Sequence, residues 1–190
     1  VKHLLNMTLF KKKKFIYFLV SLIFLSYFSG FYVREISNGA GHLDLELFIW
    51  IIINDLRLDY FDTIKNYQSY GEATFPFFHS FQSFFNPATN NIYYCLNNTI
   101  FNLFIIFFFY KFLKLKNIEF ENDFVIFLIS LIFLLSPWFR SSSYWGMTEN
   151  FAYLFLIPSL YFLDLLIKKH ISFNENLLLT ILISLTLYAR

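Results

Sequence analysis

An all-α fold, a polytopic bundle of transmembrane helices, is what three features of this chain predict: its apolar bulk, its aromatic load and the placement of its lysines. Of 190 residues, 57% are hydrophobic and only 15% charged, against about 25% charged in an average soluble domain. Aromatic residues make up 24%, including 29 phenylalanines, more than one soluble core of this size buries. The net charge of +2 gives no basis for a nucleic-acid partner, and Cys95, the single cysteine, allows no internal disulfide.

The first apolar run, 15–33, follows Lys11 to Lys14 and has no small-residue cleavage site. It therefore reads as an anchor and not as a removed signal. Four further spans are expected at 99–112, 124–139, 151–167 and 177–189. Several are shorter than the roughly 20 residues that cross a hydrocarbon layer, and rely on snorkelling lysines and local thinning. All five must be helices, because a lone strand in lipid leaves its backbone groups unpaired. Residues 1–190 form one membrane domain in this reading. The chain opens on Val1 and stops at Arg190 on the edge of an apolar helix, so an N-terminal piece of a longer protein is expected.

Orientation follows from charge. Lys11 to Lys14, then Lys111, Lys114 and Lys116, then Lys168 and Lys169 all fall on one side of a five-span count. The positive-inside rule makes that side cytoplasmic. The other side receives Arg34, Arg57, Lys65 and Arg140 of the 15 basic residues, with Arg190 at its edge. The Phe, Ile and Asn content fits an AT-rich bacterial genome, so the expected location is a bacterial inner membrane with a cytoplasmic N-terminus.

The large outer loop, 34–98, carries seven acids against three bases and is rich in aromatics. Residues 44–56 read as an interfacial helix at the membrane surface, with a second helical stretch over 60–70 and breaks at Gly71, Pro76 and Pro87. Asp44 and Glu46, two positions apart, point to nearly opposite helix faces, so one can face a cavity while the other faces water. Asp44 fits a helix N-terminal cap and equally a catalytic base. His42 and His79 with Asp44 match no standard ligand spacing, so no metal or other cofactor is expected. The turn from Thr74 to His79 suits a Pro-kinked aromatic belt, or a substrate-lining turn in which Glu72 or His79 touches a sugar or phosphate. The second outer loop, 136–151, offers Trp138, Tyr144 and Trp145 as interfacial anchors. Alternatively, Arg140 holds a phosphate through its two-pronged donor geometry, while Glu149 orients a hydroxyl. Asp164 is the only acid inside a span and lies four residues before Lys168, the spacing of a helix-end ion pair. There is no P-loop, CxxC pair, GxSxG elbow or HExxH.

Taken in order, these parts resemble the C-type membrane glycosyltransferases, which use polyprenyl-phosphate sugars as donors. The likeness lies in "GHLDLELF" soon after the first span, in the "ATFPFFH" turn, and in the "SPWFRSSSYWGMTEN" loop. The terminal "LTLYAR" is similar to the Arg-ending span of the dolichol-linked alpha-1,2-glucosyltransferase branch. The resemblance implies Asp44 as catalytic base with Glu46 second, and Glu149 as a second acid. It also implies an inverting displacement that transfers the sugar to a glycan, lipid or protein acceptor and releases polyprenyl phosphate. Two other classes fit the topology: a non-catalytic membrane subunit, and a lipid or polysaccharide transporter, which would place polar residues mid-span.

Overall fold

The computed structural model describes residues 2–37, 39, 41–70, 76–116, 123–168 and 172–188. Among these every regular element is helical, and the chain is an integral membrane protein built as a helical bundle. The first half comprises α1 (Lys2–Tyr32), α2 (Gly41–Asp44), a π-helical turn (Leu45–Ile49), α3 (Trp50–Leu58), α4 (Tyr60–Lys65) and α5 (Phe77–Phe85). The second comprises α6 (Asn91–Phe101), α7 (Leu103–Leu115), α8 (Asp123–Ser130), α9 (Ile132–Leu135), α10 (Pro137–Trp145), α11 (Thr148–Lys168) and α12 (Phe173–Tyr188).

Among the described residues, three stretches are long and apolar enough to cross a membrane: Lys14–Tyr32, Asn91–Leu115 and Thr148–Lys168. A fourth crossing exists if Asp123–Leu135 and Pro137–Trp145, bent by 67° at Ser136, count as one. The helix expected to run unbroken over 124–139 thus turns at "LSP". Ser136 leaves helical geometry at ψ 116°, its hydroxyl accepts from the Phe139 N–H, and Pro137 takes the first position of the new helix. α10 then ends on Gly146, whose φ of 64° closes the helix in the left-handed conformation. The helix expected over 99–112 begins earlier, at Asn91, because Asn90 caps the Tyr93 N–H at 3.0 Å. α12, at 16 residues, is apolar but shorter than a span and packs on α11.

The bundle has two ends. The lysine end carries Lys14, Lys111 to Lys116 and Lys168; the loop end carries α2 to α5 together with the start of α6 and the end of α10. A mid-bundle cluster centred on Tyr27, Ile105, Leu131, Leu134 and Phe139 joins α1 to α7, α9 and α10. A second cluster seats the π-helical turn, α3 and α5 on the bundle through Leu45, Ile53, Phe78, Tyr94 and Phe151. Between the helices runs a buried amide chain: Gln82 to Asn98 at 2.7 Å, Asn86 to Gln82 at 3.0 Å and Asn97 to Asn86 at 2.7 Å. Paired side-chain amides are tolerable there because each polar atom satisfies another.

Arg57 closes this layer from outside. Its guanidinium donates to the carbonyls of Ala88 at 2.7 Å, Asn86 at 2.5 Å and Ser83 at 3.4 Å, and lies 5.5 Å from the Trp50 ring centroid. One planar group thereby satisfies three carbonyls at the end of α5 and the turn after it. Arg57→Ala is expected to destabilise the protein by about 2–3 kcal/mol, read as a lower unfolding midpoint in detergent. Arg57→Lys should rescue little, since one ammonium cannot span the three carbonyls; full rescue would mean that charge alone matters.

Candidate functional site

At the loop end a pocket of about 350 Å³ opens between the end of α1, the π-helical turn, the start of α6 and the end of α10. Its wall includes Tyr32, Arg34, Glu46, Asn91, Cys95 and Trp145. The volume lies within the range of small-ligand sites, and the mixture of aromatic faces with a few polar groups is their usual composition. Two local backbone features aim the charged groups. Arg34 follows α1 at φ 57°, a left-handed conformation rare for a residue with a side chain, and its N–H bonds the Phe31 carbonyl. Glu46 sits on the π-helical turn, where the Trp50 N–H reaches back five residues to the Leu45 carbonyl. Such turns insert one extra residue and are frequent at functional sites. Neither Arg34 nor Glu46 has an ion-pair partner among the described residues, and both are exposed.

Behind the pocket wall lies a tightly bonded support. Glu35, next to Arg34 in sequence, pairs instead with Arg140 at 2.7 Å, the two side chains only 18% and 16% exposed. Arg140 also donates to the Ser26 hydroxyl and carbonyl, both at 3.1 Å, and to the Tyr144 hydroxyl at 3.3 Å. Tyr144 in turn donates to the Tyr27 carbonyl. The Glu35 carbonyl accepts from Ser141 at 2.8 Å and from the Trp145 indole at 2.9 Å. Gly30 makes room for this knot: a Cβ there would stand 2.5 Å from Arg140 Nη2, 2.6 Å from the Tyr144 hydroxyl and 2.7 Å from Glu35 Oε2. α1 is thereby locked to α10, and Tyr144 and Trp145 are held as pocket walls.

The residues singled out from sequence fall in different places. Glu46 lines the pocket; Asp44, half-buried, does not. His42 lies beside the wall, its ring centroid 5.8 Å from that of Trp145 and its Nδ1 buried without a hydrogen-bond partner. Arg140 supports the pocket through Tyr144 and is committed to Glu35. Glu149 is exposed in the first turn of α11. Glu72 lies outside the described residues. Trp138 is 43% exposed, as an interfacial anchor would be, whereas Tyr144 and Trp145 are buried.

His79 is 2% exposed, with Nδ1 2.6 Å from the Tyr67 hydroxyl and Nε2 unpartnered. Burial lowers its pKa from 6.5 to about 4, so it is a neutral structural group at neutral pH. The unfolded chain therefore takes up this proton first, and stability should fall as pH drops from about 6.5 toward 4. Unfolding midpoints at pH 7 and pH 5 should differ less in His79→Gln than in the parent; an equal difference would assign the effect elsewhere.

Sequence reasoning did not single out Arg34, Glu35 or Gly30. Their roles depend on α10 arriving from more than a hundred residues away, which no local pattern signals. Among the described residues no cluster of three or more His, Cys, Asp or Glu side chains is arranged to hold a metal ion. No family model matches the chain, and neither a curated protein nor a solved structure matches it.

Proposed function

We propose that the chain is part of a membrane glycosyltransferase that moves a sugar from a polyprenyl-phosphate donor to a glycan, lipid or protein acceptor. In this reading the lysine end and the N-terminus face the cytoplasm of a bacterium. The loop end faces the extracytoplasmic side of its inner membrane, in keeping with the lysine asymmetry. The observation that carries the reading is the pocket where a carboxylate, Glu46, and a guanidinium, Arg34, neither ion-paired among the described residues, share one wall at the mouth of the bundle.

The chemistry follows from that pairing. Glu46 takes the proton of the acceptor hydroxyl, the acceptor oxygen attacks the anomeric carbon, and the bond from that carbon to the phosphate oxygen breaks. Arg34 stabilises the charge left on the departing polyprenyl phosphate. Tyr32 and Trp145 offer apolar faces for a sugar ring, and Tyr32, 87% exposed at the end of α1, marks a path from bilayer to pocket for the lipid tail. Arg140 and Glu35 are positioning residues that hold α10 and its aromatic side chains. The test is release of polyprenyl phosphate from a polyprenyl-phosphate sugar by the full-length protein in liposomes. Release that falls in Arg34→Gln, chiefly through a lowered kcat, supports the reading; no release by the parent protein under any acceptor would sink it.

A further inference from the structure

Toward the lysine end a second cavity, a groove of about 650 Å³, opens between α1, α7 and α8. Its walls are Phe24, Leu103, Ile106, Phe107, Phe124 and Phe127, all apolar. Its mouth is polar, with Tyr110, Lys111 and Asp123. The Asp123 charge is answered by Lys114 at 2.7 Å. Lys111 is exposed, its ammonium 5.5 Å from the Phe107 ring centroid, and no carboxylate lies within ion-pair distance of it among the described residues. From Leu103 to Lys111 α7 rises about 12 Å, most of the roughly 15 Å depth of one hydrocarbon leaflet.

We propose that this groove binds an anionic glycerophospholipid, with an acyl chain along α7 and its phosphate against Lys111. An apolar slot one leaflet deep suits a chain of methylenes. Lys111, without an ion-pair partner among the described residues, sits at headgroup depth, where a net negative lipid gains what a zwitterionic one does not. The site lies at the opposite end of the bundle from the Glu46 pocket and does not depend on the proposed activity.

The experiment is native mass spectrometry of the full-length protein in detergent, titrated with dioleoyl phosphatidylglycerol or dioleoyl phosphatidylcholine. The parent protein should retain the first phosphatidylglycerol more strongly than the first phosphatidylcholine. Lys111→Gln should weaken phosphatidylglycerol retention about fivefold and leave phosphatidylcholine unchanged, while Lys65→Gln, at the loop end, changes neither. Leu103→Trp, which fills the slot, should lower retention of both lipids. Equal retention of the two lipids by the parent, or a phosphatidylglycerol preference that survives Lys111→Gln, overturns the proposal; occupation of the groove by another protein segment would give the first of these results.

Discussion

Glu46→Gln is expected to lower sugar transfer by about 10²- to 10⁴-fold, the range seen when a general base is removed. Glutamine preserves the shape and polarity of the pocket wall but cannot take up the acceptor proton. The change should leave folding intact, because Glu46 is exposed and makes no ion pair among the described residues. Asp44→Asn is the necessary comparison. Asp44 lies two residues away and outside the pocket lining, so its replacement should keep turnover within a few fold of the parent. Release assays on both variants, with membrane insertion checked in parallel, decide between the two acids. Loss in Asp44→Asn alone would transfer the role to Asp44, and full activity in both would remove these two acids from the chemistry.

Gly30→Ala should destabilise the protein by about 2 kcal/mol even though it puts a better helix former into α1. Propensity alone favours alanine by about 1 kcal/mol. The new methyl group, however, would stand within 2.7 Å of both partners of the Glu35–Arg140 pair and of the Tyr144 hydroxyl. Each is fixed by further bonds, Arg140 to Ser26 and Tyr144 to Tyr27, so none can swing aside without breaking one. Separating a mostly buried ion pair costs about 3–5 kcal/mol, which exceeds the gain. Unfolding midpoints of Gly30→Ala in the parent and in Arg140→Gln isolate the term, since the penalty should shrink once the pair is absent. A stabilised Gly30→Ala would show that the side chains yield.

The membrane-spanning character was legible because it depends on composition summed over long runs, as in the stretch from Phe15 to Val33. The bend at Ser136 was missed: Ser before Pro is a helix-start signal, but the apolar residues on either side invited an unbroken helix over 124–139. Asn91 to Asn98 read as loop because hydropathy scores each amide alone, whereas its cost is set by partners. Here those partners are Gln82 and Asn86, on a different element. Of the early acids after the first span, Glu46 lines the pocket at the loop end and Asp44 does not; the π-helical turn on which Glu46 sits left no mark in the spacing. Arg140 stood out as a lone charge; that it serves Glu35 is a tertiary fact.

The buried carboxylate near the lysine end has a consequence for how the helices choose their neighbours. Asp164 touches Lys168 of its own helix at 3.5 Å and Lys116 of α7 at 2.5 Å, while its side chain is only 4% exposed. Because Lys168 lies one turn further along, α11 carries a counterion for Asp164 on its own helix. The closer bond to Lys116 forms only when the two helices meet, so the same acid favours the correct neighbour over others in the plane of the membrane. One carboxylate is thus paired both within its own helix and across to the neighbouring one.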